Sequence, residues 1–228
     1  MSFYTAISII FPIVEAAVLL LLLLHRAWRT LPAFCVYIAW GMISDIAYYV
    51  ISAQFPEYYS LWFQVESIVD CALVFLVLIE LAWSGLRLSK IQLFPHAVLL
   101  VAASIAAVGW ALWPVALLID PPNAWQRDQV LIHFQQTSAM LRVVFFVALA
   151  AGSRVLSITW KDRELQVASG LASSSIINVL VTLLHARILR ESYSFQWLDI
   201  VQPLIYLAVL LYWMVMISKW NNSIADKR

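Results

Sequence analysis

An all-helical integral membrane bundle of seven transmembrane helices is the fold class this sequence predicts, and three observations carry that expectation. Of 228 residues, 64% are hydrophobic and 12% charged, with a mean hydropathy of +0.87. Soluble domains sit nearer one half and one quarter. Apolar runs of about 20 residues, each long enough to cross a hydrocarbon core of ~30 Å, recur along the chain. The connections between them are short, roughly 6 to 13 residues, so consecutive helices should be antiparallel neighbours, with residues 1–228 forming one membrane domain and no soluble one.

The predicted spans are Thr5–Leu24, Leu31–Ala53, Leu61–Ser84, Leu93–Leu118, Val130–Ala151, Leu165–Ala186 and Trp197–Ser218. The start, MSFYTAISIIFPIVEA, has no basic leader and no small-residue cleavage pattern, so the first span is expected to be retained. Arg26, Arg29, Arg87, Lys90, Arg154, Lys161, Arg163, Lys219, Lys227 and Arg228 fall on one side, against Arg127, Arg187 and Arg190 on the other. By the positive-inside rule this places the N-terminus outside and the C-terminus in the cytoplasm of a plasma or inner membrane. Tryptophans agree, with Trp28, Trp83, Trp160 and Trp220 marking one interface and Trp62, Trp113, Trp125 and Trp197 the other.

An offset of 134 residues lays EYYSL (57–61) over ESYSF (191–195) and the second span over the sixth. An offset near 130 aligns the first and fifth spans, which predicts a 3+1+3 arrangement of parallel repeats around a linking fourth helix.

The third span organises the reading of function. WFQVESIVDCALVFLVLIEL carries Glu66, Asp70 and Glu80, which at 100° per residue share an arc of about 80° on one helix face. An ionised carboxylate at bilayer depth costs roughly 2.5–3.5 kcal/mol on insertion scales, so this stripe should face the bundle interior. Glu66 and Asp70 are an i,i+4 pair; both charged, they repel, so they should share a proton or a cation unless Arg142 or tyrosines satisfy them structurally.

Other spans add polar groups. Glu15 lies deep in the first span, three residues after Pro12. Asp45 shares a strip of the second span with Gly41, Tyr48, Tyr49 and Ser52, which suits a binding wall or interhelical hydrogen bonding equally. The fifth span holds Arg142, which needs an acid or an anionic ligand, with Asp70 the first choice and Asp45 the second, as a salt bridge or a substrate clamp. His133, Gln136 and Met140 share another face of that helix. In the sixth span Ser174, Asn178, Thr182 and His185 form a stripe for which close packing is the favoured role. In the seventh, Asp199, Gln202 and Tyr206 face together beside Pro203. The fourth span has no charged residue and reads as peripheral.

Asp45, Glu66, Asp70 and Asp199 cluster by depth in the outer half of the membrane, with His133 and His185 at a similar level. The expectation is an acid-biased, outward-opening pocket rimmed by aromatic residues. Ligand or ion contacts fall to Glu66, Asp70, Asp45, Asp199, Arg142, Gln202 and Tyr48, and in second place to Glu15, Asn178, His133 and His185.

Several chemistries are disfavoured. The last span has no mid-membrane lysine for a retinal Schiff base, and His133 with His185 could meet a haem only near the outer rim. A zinc site of His133, His185 and Asp199 or Glu66 lacks HExxH or any ligand spacing, so no metal or other cofactor is assigned. GxSxG and phosphate loops are absent, as is any basic tract for nucleic acid. Cys35 and Cys71 lie inside helices and read as core rather than disulfide partners.

These residues predict a small transporter or channel for a cation, a proton-coupled solute or an amine. The alternative is a seven-helix sensor that takes a small polar or cationic ligand and needs a separate cytoplasmic or membrane signalling partner, since the tail KWNNSIADKR carries no output domain. A membrane-embedded enzyme acting on lipid is a lesser reading.

Overall fold

The computed structural model describes the backbone of residues 3–88, 97–116, 126–156, 162–187 and 193–220, and side chains within 10–86, 98–116, 130–152, 162–184 and 200–220. The described residues form seven α-helices: α1 (Phe3–Leu24), α2 (Pro32–Gln54), α3 (Tyr59–Leu88), α4 (Ala97–Ala116), α5 (Gln126–Leu156), α6 (Arg163–Arg187) and α7 (Tyr193–Lys219). Five carry stretches long and apolar enough to cross a membrane: Pro32–Gln54, Val98–Ala116, Val130–Gly152, Arg163–Leu184 and Ile200–Lys219. The described apolar part of α1, Ile10–Leu24, is shorter. These helices make the chain a multi-pass membrane protein.

Local chemistry sets the helix ends of the first hairpins. After α1, Arg26 takes a left-handed conformation (φ 54°) and opens a short 3-10 turn at Ala27–Arg29. A non-glycine residue there costs of order 1 kcal/mol. The Arg29 guanidinium lies 5.2 Å from the Trp28 ring, pairing cation and indole as a membrane interface favours. Pro32 then starts α2 at the first helical position, where its missing N–H is no loss. Pro56 ends α2, because the residue before a proline is driven out of the helical region.

The chain divides into two compact units, Met1–Leu73 with Leu207–Arg228, and Val74–Tyr206. In the first, α1 packs closely on α2. Val18, Leu22, Leu31, Phe34, Ile38, Leu210, Trp213 and Ile217 are buried, with Trp213 edge-on to Phe34 at 5.0 Å. Gly41 permits the α1–α2 approach: a Cβ there would stand 2.8 Å from Glu15 Oε1. Such small-residue contacts let membrane helices gain dispersion energy where no hydrophobic effect drives them together.

In the second unit α5 packs on both α4 and α6. Polar side chains are buried on these helices: His133, Gln136, Thr137 and Ser138 of α5, and Gln166 and Ser175 of α6. Gln136 Nε2 donates to Thr182 Oγ1 at 3.0 Å. Several hydroxyls return to their own helix, such as Thr137 to the His133 carbonyl and Ser175 to that of Leu171. Gly170 is buried. By contrast α4 shows its side chains outward, Trp110 at 83% exposure and Leu99 and Leu100 at 68%, as its lack of charge predicts for a peripheral helix.

Candidate functional site

Within the first unit, the acids of α2 and α3 come together. Asp45 and Glu66 interact electrostatically across the two helices, and Glu66 interacts with Asp70 one turn along α3. All three are half-buried. The Ser44 hydroxyl, on a residue only 3% exposed, lies beside the Glu66 carboxylate as its hydrogen-bonding neighbour. One carboxylate oxygen of Asp45, Oδ2, is buried with no hydrogen-bond partner. Buried polar groups normally find partners, and each one left without costs about 1–3 kcal/mol.

The backbones explain how such a site can exist. Close backbone packing joins α1 to α2, whereas α2 and α3 meet mainly through long side chains. At the hairpin end, Tyr48 and Tyr59 pair edge-to-face at 5.5 Å with their hydroxyls 3.3 Å apart. Deeper in, Trp40 and Trp62 meet at 6.1 Å with a 32° tilt. Trp40 is one turn before Ser44, and Trp62 one turn before Glu66. Because the helices run antiparallel, the two tryptophan backbones lie roughly 6 Å to either side of the Ser44–Glu66 level. Their rings must lean towards each other to touch. Both indole nitrogens are buried without a hydrogen-bond partner.

Asp45, Glu66, the Ser44 hydroxyl and the Trp40–Trp62 pair thus lie on the parts of α2 and α3 that meet. Among the described residues of the first unit, the basic side chains are His25, Arg26, Arg29 and Lys219. Arg29, three residues before α2 begins, is 15 residues from Ser44, about 20 Å along the chain's helical path.

Other predicted residues lie elsewhere. Tyr48 belongs to the same hairpin but is exposed at 44%, as is Tyr49 at 51%. Ser52 bonds the carbonyl of Tyr49 in its own helix. Glu15 is buried at 1% against Gly41, one turn of α2 from Asp45. Arg142 is half-buried on α5. His133 packs its ring edge-on against Trp113 at 4.1 Å, an aromatic contact within the second unit. Asn178 is half-buried and its carbonyl accepts from Thr182. Gln202 is exposed on α7. The side chains of Asp199 and His185 lie outside the described residues, so three of the four acids expected to cluster are seen together. Among the described residues, no three His, Cys, Asp or Glu side chains are grouped as a metal ion would require.

Trp40 and Ser44 were the site residues least visible beforehand. The signal was present: two tryptophans, each four residues before a polar group, on adjacent helices. Comparison with protein families, with curated proteins and with solved structures finds no match.

Proposed function

We propose that this chain is a seven-span transporter or channel, N-terminus outside and C-terminus cytoplasmic, that passes a cation, a proton-coupled solute or an amine by way of the Asp45–Glu66–Asp70 site. The observation that carries this reading is the meeting of Asp45 with Glu66 across two helices, with one Asp45 carboxylate oxygen buried and without a hydrogen-bond partner. Acids placed together in a membrane are costly unless a proton or a cation neutralises them, and a group kept at such cost marks an ion or substrate path. The first and third predicted spans, on α1 and the acid-bearing α3, would complete the seven, and the 3+1+3 repeat would supply a second, related set of helices around α4.

The test is flux in proteoliposomes. Wild-type protein is expected to carry labelled methylammonium, or to dissipate a proton gradient reported by trapped pyranine. Glu66→Gln with Asp70→Asn, folded as judged by circular dichroism, is expected to lose the flux by about tenfold or more. Unchanged flux in that variant refutes the reading. Acid-dependent binding without flux moves the protein to the sensor class.

A further inference from the structure

The turn between α1 and α2 holds exposed basic side chains on a fixed frame. The Arg29 N–H donates to the Arg26 carbonyl at 3.1 Å, and the Thr30 and Leu31 N–H groups donate to that of Ala27 at 2.9 and 2.7 Å. The Thr30 hydroxyl donates to the same Ala27 oxygen at 3.1 Å. Ala27 and Leu31 are fully buried and anchor the turn, while Arg26, Trp28 and Arg29 are exposed. A single turn of this kind keeps the Arg26 and Arg29 backbones about 6 Å apart. Arg26 holds a left-handed backbone, φ 54°, which glycine adopts freely and arginine only against its own Cβ. A residue kept in such a conformation points to a use for its side chain.

Two further observations say what that use is. The Arg29 guanidinium rests on the Trp28 ring at 5.2 Å, which occupies its flat face and leaves its edge N–H groups for an anion. Trp28 is itself 49% exposed, an indole at the membrane interface, where such rings sit at headgroup level. The described acids of this unit are Glu15, Asp45, Glu57, Glu66 and Asp70. Glu15, the nearest along the chain, comes eleven residues before Arg26, about 16 Å along α1. We propose that the α1–α2 turn binds the phosphate of one anionic phospholipid. Arg26 and Arg29 donate to the phosphate oxygens, and Trp28 lies against the glycerol and the upper acyl carbons. This seat differs from the diffuse attraction of any basic loop for an anionic surface, and it is independent of the acid site and of the transport reading.

The test is competition between labelled phosphatidylglycerol and phosphatidylcholine for the full chain in dodecylmaltoside micelles. Each arginine near a phosphate is worth about fivefold, so the wild type should prefer phosphatidylglycerol by up to about twenty-fivefold. Arg26→Gly and Arg29→Gln should each lower that preference by about fivefold. Arg26→Gly also relieves the left-handed backbone, so its loss of lipid should accompany a gain in stability and cannot be put down to unfolding. Lys219→Gln, at an exposed basic position of the same unit outside the turn, should change the preference by less than about twofold. A loss in either arginine variant that Lys219→Gln does not share supports the proposal. Equal retention of the two lipids by the wild type overturns it, as does a preference that survives both arginine changes. An equal loss in Lys219→Gln also overturns it and leaves only diffuse charge. Displacement of the lipid by glycerol 3-phosphate at matching concentration overturns the lipid assignment in favour of a free phosphate ester.

Discussion

Replacing Gly41 by alanine tests how α1 meets α2, and its outcome depends on Glu15. A Cβ at position 41 would lie 2.8 Å from Glu15 Oε1, 3.4 Å from Cδ and 3.6 Å from Oε2. Glu15 is a flexible side chain, but at 1% exposure it has little space to retreat into. Overpacking of this kind costs about 1–3 kcal/mol. Against it stands the helix preference of alanine over glycine, about 0.8–1.0 kcal/mol. Gly41→Ala alone is therefore expected to destabilise by up to about 2 kcal/mol. In a Glu15→Ala background the obstacle is gone, and the same change should stabilise by up to about 1 kcal/mol. The coupling between the two positions should be about 1–3 kcal/mol, read from reversible unfolding in mixed micelles followed by circular dichroism. Additive effects within about 0.5 kcal/mol, or stabilisation by Gly41→Ala with Glu15 present, would refute the close approach and the reason given for the glycine.

Three further changes can be read in the same unfolding assay. Thr182→Val removes the acceptor of the Gln136 amide and should cost about 0.6 kcal/mol, with an upper value near 1.7 for a hydrogen bond between membrane helices. A cost above that range would mean the α5–α6 seam depends on this bond for more than one contact. Ser84→Ala removes the hydroxyl that donates to Glu164, a bond between α3 and α6, and should cost about 1 kcal/mol; Glu164→Gln should cost less, since it keeps an acceptor. Arg26→Gly relieves the left-handed backbone after α1 (φ 54°) and should stabilise by about 1 kcal/mol, whereas Arg26→Val should do the reverse.

Hydropathy made the helices legible but not their faces. The second predicted span, Leu31–Ala53, differs from α2, Pro32–Gln54, by one residue at each end. Helices α3 and α5 run past their predicted spans, to Tyr59–Leu88 and Gln126–Leu156. A hydropathy window senses lipid-facing character, while the helical hydrogen-bond ladder continues into polar flanks. In a chain that is 64% hydrophobic, core-facing and lipid-facing positions look alike. The Glu66–Asp70 stripe stood out because acids are rare in such helices. The partition of α2 did not: Ser44 is the buried residue, with Asp45 beside it half-buried, and both Tyr48 and Tyr49 are exposed. Trp62 read as an interface marker by its place near a helix end, yet its ring turns inward to Trp40. The Glu15–Gly41 contact joins residues 26 positions apart, and no periodicity within one helix can show it.

The central claim is that Asp45 and Glu66 face a wet gap between α2 and α3 and not lipid. Cysteine accessibility measures this directly. In a background with Cys35 and Cys71 replaced by alanine, Asp45→Cys and Glu66→Cys should react rapidly with a water-soluble cationic thiol reagent. Ile68→Cys, two residues from Glu66 on an apolar face exposed at 60%, should stay inert in the bilayer. Equal inertness at all three positions, or faster reaction at Ile68 than at Glu66, would contradict the account.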